Sequence, residues 1–178
     1  MESDFASLSY GQQAAAPSTA RHWIEVLKLT PHPEGGHYRE IFRSTAPVLP
    51  CDGRPTRSAI TLIHFLLDAN QTSAWHRVMS DETWHWSGGG PLDLWLLSPD
   101  FNQLQQITIG SPERDGIEPV AVVPAGWWQA ARPHQTWSLV QCCVAPGFDF
   151  TDFSMLRDIP DALHTMQSLH PELLAAMG

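Results

Sequence analysis

Lysine is almost missing from this chain: of ten basic residues only Lys28 is one, and the other nine are arginines. Without an ammonium coat, the basic residues point to fixed, planar contacts with carboxylates or anions. Charge of either sign is scarce at 16% of residues, and the balance is negative, a formal −9 at pH 7. That excludes general nucleic-acid binding and docking on an acidic membrane, since both need a basic face. No apolar run reaches the length of a membrane span, and residues 1–17 have neither the basic start nor the apolar stretch of a secretory signal. Cysteine is limited to Cys51, Cys142 and Cys143, an odd set whose adjacent pair faces opposite sides of a strand. It builds neither a disulfide framework nor a zinc spacing, and the expectation is a reduced, cytoplasmic protein.

What is present suits one domain. The 178 residues, 43% of them hydrophobic, are enough for a single substantial core. Residues 1–17 read as a flexible tail and 18–178 as the domain. Ser18 or Thr19 can cap a short helix through Leu29, with Trp23, Val26 and Leu27 on one stripe and Pro31 and Pro33 stopping it. From Gly36 onward, strand patterns punctuated by turns cover residues 37–43, 58–66, 73–78, 82–86, 92–97, 104–109, 120–123, 127–131 and 136–144. Residues 160–177 return to a helical period, with Leu163, Met166, Leu169 and Leu173 on one seam and Pro171 splitting it. The result is an all-β sandwich or barrel with helical ends. Several strands are apolar on both faces, so the outer face needs a cover, either a second subunit or the terminal segments.

Residues 73–90 hold the densest chemistry: His76, Glu82 and His85 among three tryptophans, ending in Gly88-Gly89-Gly90. At strand period Glu82, Trp84 and Trp86 share one face, and Thr83 and His85 share the other. A carboxylate in line with two indoles needs a partner inside the sheet: a cation, a metal or a ligand. His76 and Glu82 read as neighbours across a hairpin turning at Met79-Ser80-Asp81. The plain alternative is that Glu82 pairs with an arginine such as Arg39, Arg43 or Arg77. The block Glu34-Gly-Gly-His-Tyr-Arg39 is the second place of interest. Its glycines permit a tight turn and close approach. Arg39 can hold a carboxylate or phosphate in its fork, Tyr38 can serve as an acid, and Glu34 and Arg39 can also pair with each other. Trp84 and Trp128 lie nearest these groups and suit a flat, stacked ligand. One of Cys142 and Cys143 points inward as a buried thiol, and His64 reads as a core histidine.

His76, Glu82 and Gly89, followed by Pro124-Ala-Gly126, resemble the two signature motifs of the cupin superfamily. More specifically, the blocks at 29–39, 76–84 and 144–150 resemble the cupin-5 (DUF985) family. The resemblance implies a double-stranded β-helix, an RmlC-like jelly-roll barrel, with short N- and C-terminal helices and a pocket in its mouth. It also implies a homodimer. Val78 and Gln129 stand where that superfamily has its second and third histidine ligands, which leaves His76, Glu82 and Gln129 as the set for a divalent metal, if one is held at all.

Three functions follow. One is a pocket for a small polar ligand (sugar, nucleotide or heterocycle) lined by His76, Glu82, Gln129, Trp84, Trp128, Tyr38, Arg39 and Glu34. A second is a metal-free sugar or nucleotide-sugar epimerase with His76 in proton transfer, assisted by Glu82 and Tyr38. The third is a metal-dependent enzyme built on the swapped ligand set. Whether the protein is an enzyme is left open by the residues alone, because one fold hosts many activities.

Overall fold

The computed structural model describes residues 19–177; the expected tail at 1–17 lies outside them. The chain opens with α1 (Ala20–Leu27), where the Thr19 hydroxyl accepts from the His22 amide at 3.3 Å and Lys28, at φ 54°, ends the helix in a left-handed turn. Short β1 (Thr30–Pro31) leads into β2 (His37–Arg43), and β3 (Pro47–Val48) pairs with β4 (Arg57–Ser58) in a small ribbon. Then come β5 (Thr61–Leu67), β6 (Ser73–Val78), β7 (Asp81–Gly89), β8 (Leu92–Leu97) and β9 (Leu104–Ile109). The set ends with β10 (Val120–Val123), β11 (Trp128–Pro133), β12 (Ser138–Ala145) and β13 (Phe153–Met155), followed by α2 (Pro160–Leu169) and α3 (Pro171–Met177). Pro171 does split the C-terminal helical stretch. Leu163, Met166 and Leu173 pack inward there, whereas Leu169 leaves the expected seam and is exposed.

Two antiparallel sheets make the jelly roll: a six-stranded one ordered β1-β2-β5-β12-β7-β10 and a five-stranded one ordered β13-β6-β11-β8-β9. Their inner faces supply the main core, in which Phe65, Trp84, Leu92, Leu94, Leu96 and Val140 are almost fully buried. The outer face of the five-stranded sheet is covered by the chain's own end: Trp75, Leu97 and Trp128 pack with Met166 and Leu173 of the C-terminal helices. That accounts for the strands of this sheet being apolar on both sides, since the helices cover its outer face. On the six-stranded sheet α1 covers one end, with Trp23, Ile24 and Leu27 against Leu66 and Leu139.

The expected hairpin of His76 and Glu82 is not formed. β6 pairs with β11 and β13, and β7 with β12 and β10, so Met79 and Ser80 form a corner between sheets rather than a hairpin turn. The two side chains therefore approach from opposite walls.

Two glycines set the entry to the interior. At Gly35 (φ +114°) an added Cβ would sit 2.2 Å from the Thr72 carbonyl oxygen, and at Gly36 (φ +68°) 2.6 Å from that of Leu66. No other residue lets the chain pass this close to β5 and the start of β6. Gly116 has φ +78° but open space around it. Gly35→Ala is expected to cost about 2–3 kcal/mol in urea unfolding, against about 1 kcal/mol for Gly116→Ala.

Candidate functional site

The turn at 32–36 is closed by the His32 amide donating to the Gly36 carbonyl (3.1 Å) and the Gly35 amide donating to that of His32 (3.0 Å). It lowers Glu34 between the sheets, where the Ala74 amide also donates to the Glu34 carbonyl at 2.8 Å. The buried carboxylate is saturated there. Ser73 Oγ donates to Oε1 at 2.9 Å, while Oε2 lies 3.2 Å from His76 Nε2 and 3.3 Å from His32 Nδ1. Burial by itself would raise the Glu34 pKa; His76, the His32 hydrogen bond and Ser73 outweigh it and hold the group below its ordinary value. The partner considered for Glu34, Arg39, is not involved.

His76 is 2% exposed, and its Nδ1 lies 2.8 Å from the Ala74 carbonyl oxygen. A carbonyl only accepts, so Nδ1 carries a hydrogen and Nε2 faces Glu34. Both ring nitrogens thus face protein oxygens, which makes His76 a clamp on Glu34 rather than a group aimed into the cavity.

Glu82 comes from the other wall, buried on β7. Its Oε2 accepts from Gln129 Nε2 at 2.7 Å, and the Cys142 thiol also bonds to it. Gln129 Oε1 in turn accepts from Trp84 Nε1 at 3.0 Å. An indole N–H can only donate, so the amide orientation is fixed by chemistry: its oxygen is used by Trp84 and its NH2 faces Glu82. Burial pushes the Glu82 pKa up, and the opposing pull of His76, Gln129 and Cys142 does not cancel it. Burial, then Glu82, also pushes the Cys142 thiol well above its ordinary range. Among the described residues no arginine pairs with Glu82: Arg43 holds Glu40, and Arg77 lies over the Trp128 ring at 4.7 Å.

These groups border a cavity of about 480 Å³ between the inner face of β2, β5, β7 and β12 and the β6–β13 edge. Of the expected residues it gathers Glu34, Tyr38, His76, Glu82 and Trp84. Three stay out of its wall. Trp128 points to the opposite side of β11 from Gln129 and is buried against Phe101 under the C-terminal helices. Gln129 lies behind Glu82 and Trp84. Arg39 alternates with Tyr38 and Glu40, which line the cavity, and so occupies the outer face; there it stands across from His64, which is therefore not a core residue. The residue patterns did not single out His32 or the mouth formed by Phe148, Phe150 and Phe153, and Arg43, considered as a partner of Glu82, lines the wall instead. The signals were present in the Pro31-His-Pro-Glu34 spacing and in three phenylalanines following the last long strand.

A family model described as Cupin superfamily (DUF985) matches residues 21–156. The chain belongs to this family. It is similar to an uncharacterised protein of Saccharomyces cerevisiae, 28% identical over an alignment of 162 positions that covers 83% of this chain and 80% of the yeast protein. Among solved structures, a hypothetical protein from Leishmania major is 32% identical, covers 90% of this chain and 97% of its own, and superposes with a TM-score of 0.78. A Shewanella oneidensis protein is 30% identical, with 90% and 95% coverage and a TM-score of 0.75.

Cupins as a superfamily imply a metal, and the donors in this member do not fit one. Val78 offers no ligand atom, the Gln129 oxygen is committed to Trp84, and both His76 nitrogens are bonded within the protein. Among the described residues no three His, Cys, Asp or Glu side chains group so as to hold an ion. Elemental analysis of the dialysed protein is expected to give well below one transition metal per chain.

The two carboxyls differ in how they affect stability. A lowered pKa means that the ionised Glu34 stabilises above the unfolded value of about 4.3, a contribution lost as pH falls through the folded value. Glu34→Gln is expected to cost about 3 kcal/mol at pH 7, and less at pH 4. A raised pKa reverses the sign for Glu82: its ionisation costs stability as pH rises from the unfolded to the folded value. Glu82→Gln is expected to raise Tm at pH 7 and to lose that gain near pH 4, in one melting series across pH.

Proposed function

We propose that this cupin binds a small molecule in the cavity between its sheets. The observation that carries the reading is the meeting of two buried carboxyls and a clamped imidazole at the inner end of a space whose mouth is aromatic. Its volume of about 480 Å³ falls within the roughly 300–1,000 Å³ common for ligand pockets. His32 and Tyr38 meet edge to face at 4.5 Å, and the three phenylalanines pack edge-on at 5.0–6.1 Å, which gives the mouth stiff apolar walls.

A proton-transfer enzyme is a second reading, and one observation favours it: Glu82 is a cavity carboxyl raised towards the range where acid–base groups operate. In that reading Glu82 exchanges the proton and His76 only positions Glu34, in contrast to an epimerase driven by the imidazole. Loss of solvent-deuterium uptake in Glu82→Gln would separate catalysis from binding alone.

The pocket itself is tested by thermal-shift screening with sugars, nucleosides and heterocyclic amines, on the wild type and on Ile63→Trp, whose indole would fill the cavity from β5. At least one class is expected to raise the wild-type Tm and to leave the filled variant unmoved. Silence across all three classes, or equal shifts in both proteins, would sink the reading.

A further inference from the structure

The cavity offers an incoming ligand no free cation. Among the described residues Arg43 is the one arginine or lysine in its wall. Arg43 is already engaged: it donates to Glu40 Oε1 at 3.0 Å and Oε2 at 2.6 Å, and to the Phe148 carbonyl at 3.0 Å. Arg54 and Arg57 hold Asp152 at 2.8 Å outside the cavity, and Arg39 is on the outer face. A phosphate or carboxylate entering this space would meet no unpaired positive group, and desolvating it there would be costly.

The wall carries four carboxyls, of Glu34, Glu40, Glu82 and Asp149. Three are answered within the protein. Glu34 has Ser73, His32 and His76, Glu40 has Arg43, and Asp149 Oδ1 accepts from the Thr151 amide at 2.9 Å and hydroxyl at 2.7 Å. Glu82 is different. Like Asp149 it meets only neutral donors directly, here Gln129 and Cys142, but it is buried, 6% exposed, and His76 pulls on it only through space, so it is prepared to accept from a ligand. Beside it the wall is aromatic and apolar: Phe65 and Trp84 meet edge to face at 5.6 Å, and Phe153 lies 5.5 Å from the His76 ring.

We propose, resting on the pocket reading above, that the ligand is a small, flat nitrogen base. Its ring lies among Phe65, Trp84 and Phe153, and its N–H or N⁺–H groups donate to Glu82. An aryl or heterocyclic amine or amidine has this chemistry; phosphorylated sugars, nucleotides and carboxylates do not. The ligand supplies a donor and a positive charge in direct contact with Glu82, and its ring fills the apolar wall, where the negative faces of the aromatics also favour a cation.

Three probes of similar size, benzamidine, benzoate and benzyl alcohol, test this by saturation-transfer NMR and calorimetry at pH 7. Benzamidine is expected to bind the wild type at least about tenfold more tightly than benzoate. Glu82→Gln should bring benzamidine down to the level of benzyl alcohol, and Ile63→Trp should abolish binding of all three. Should Ile63→Trp fail to fold, Val78→Phe closes the cavity from the opposite wall. Benzoate matching benzamidine, or benzamidine indifferent to Glu82→Gln yet lost in the filled variant, overturns the nitrogen-base assignment and leaves the pocket standing. Failure of benzamidine to bind the wild type also overturns it, and the sugar and nucleoside screen then decides separately whether the pocket reading falls.

Discussion

A carboxylate placed between two sheets, where water does not hydrate it, has to be met by donors, and Glu34 is where this structure satisfies that requirement. Its three partners come from two regions of the chain: His32 from its own turn, Ser73 and His76 from β6. One buried acid thereby ties the N-terminal turn to the edge of the five-stranded sheet. The glycines at 35 and 36 serve the same end, because the turn reaches this depth only where no Cβ opposes the backbone of the neighbouring strands.

Glu34 also determines how the rest of the cavity behaves. With His76 turned towards it, the imidazole is unavailable to metal or ligand, and the remaining chemical capacity shifts to Glu82 on the opposite wall. There a relay runs from the Trp84 indole through the Gln129 amide to the Glu82 carboxyl, each group orienting the next. Two acids facing one interior end up with opposite tendencies, one held ionised by donors and imidazoles, the other pushed towards its neutral form by burial. Charge in the cavity is thus differentiated by partners rather than by residue type.

The arginines complete this division. Four of the nine arginines make fixed contacts that brace the frame: Arg54 and Arg57 on Asp152, Arg43 on Glu40, Arg77 over Trp128. Positive charge stabilises corners and the mouth, and the interior stays acidic and aromatic.

Much of the architecture was legible in the residues, because strand patterns and turns are local. The bounds of β2, β6, β8, β9 and β10 follow from period-two alternation between turn residues, and Pro171 breaks the last helix as its ring requires. The same alternation put Glu82 and Trp84 on one face, and the motif spacing named the family. It could not show that β6 and β7 part into different sheets, because a corner and a hairpin turn look alike over Met79-Ser80. Trp128 and Arg39 were misplaced for a related reason: alternation says that neighbours face opposite sides, not which side becomes interior. His32 carried no periodic signal at all. What the sequence by itself determined was the longer strands and the terminal helices, the faces within each strand and the near-absence of lysine. What only the tertiary structure decided was which faces turn inward and which distant side chains meet, since strand partners and cavity walls are chosen by long-range packing across the whole chain.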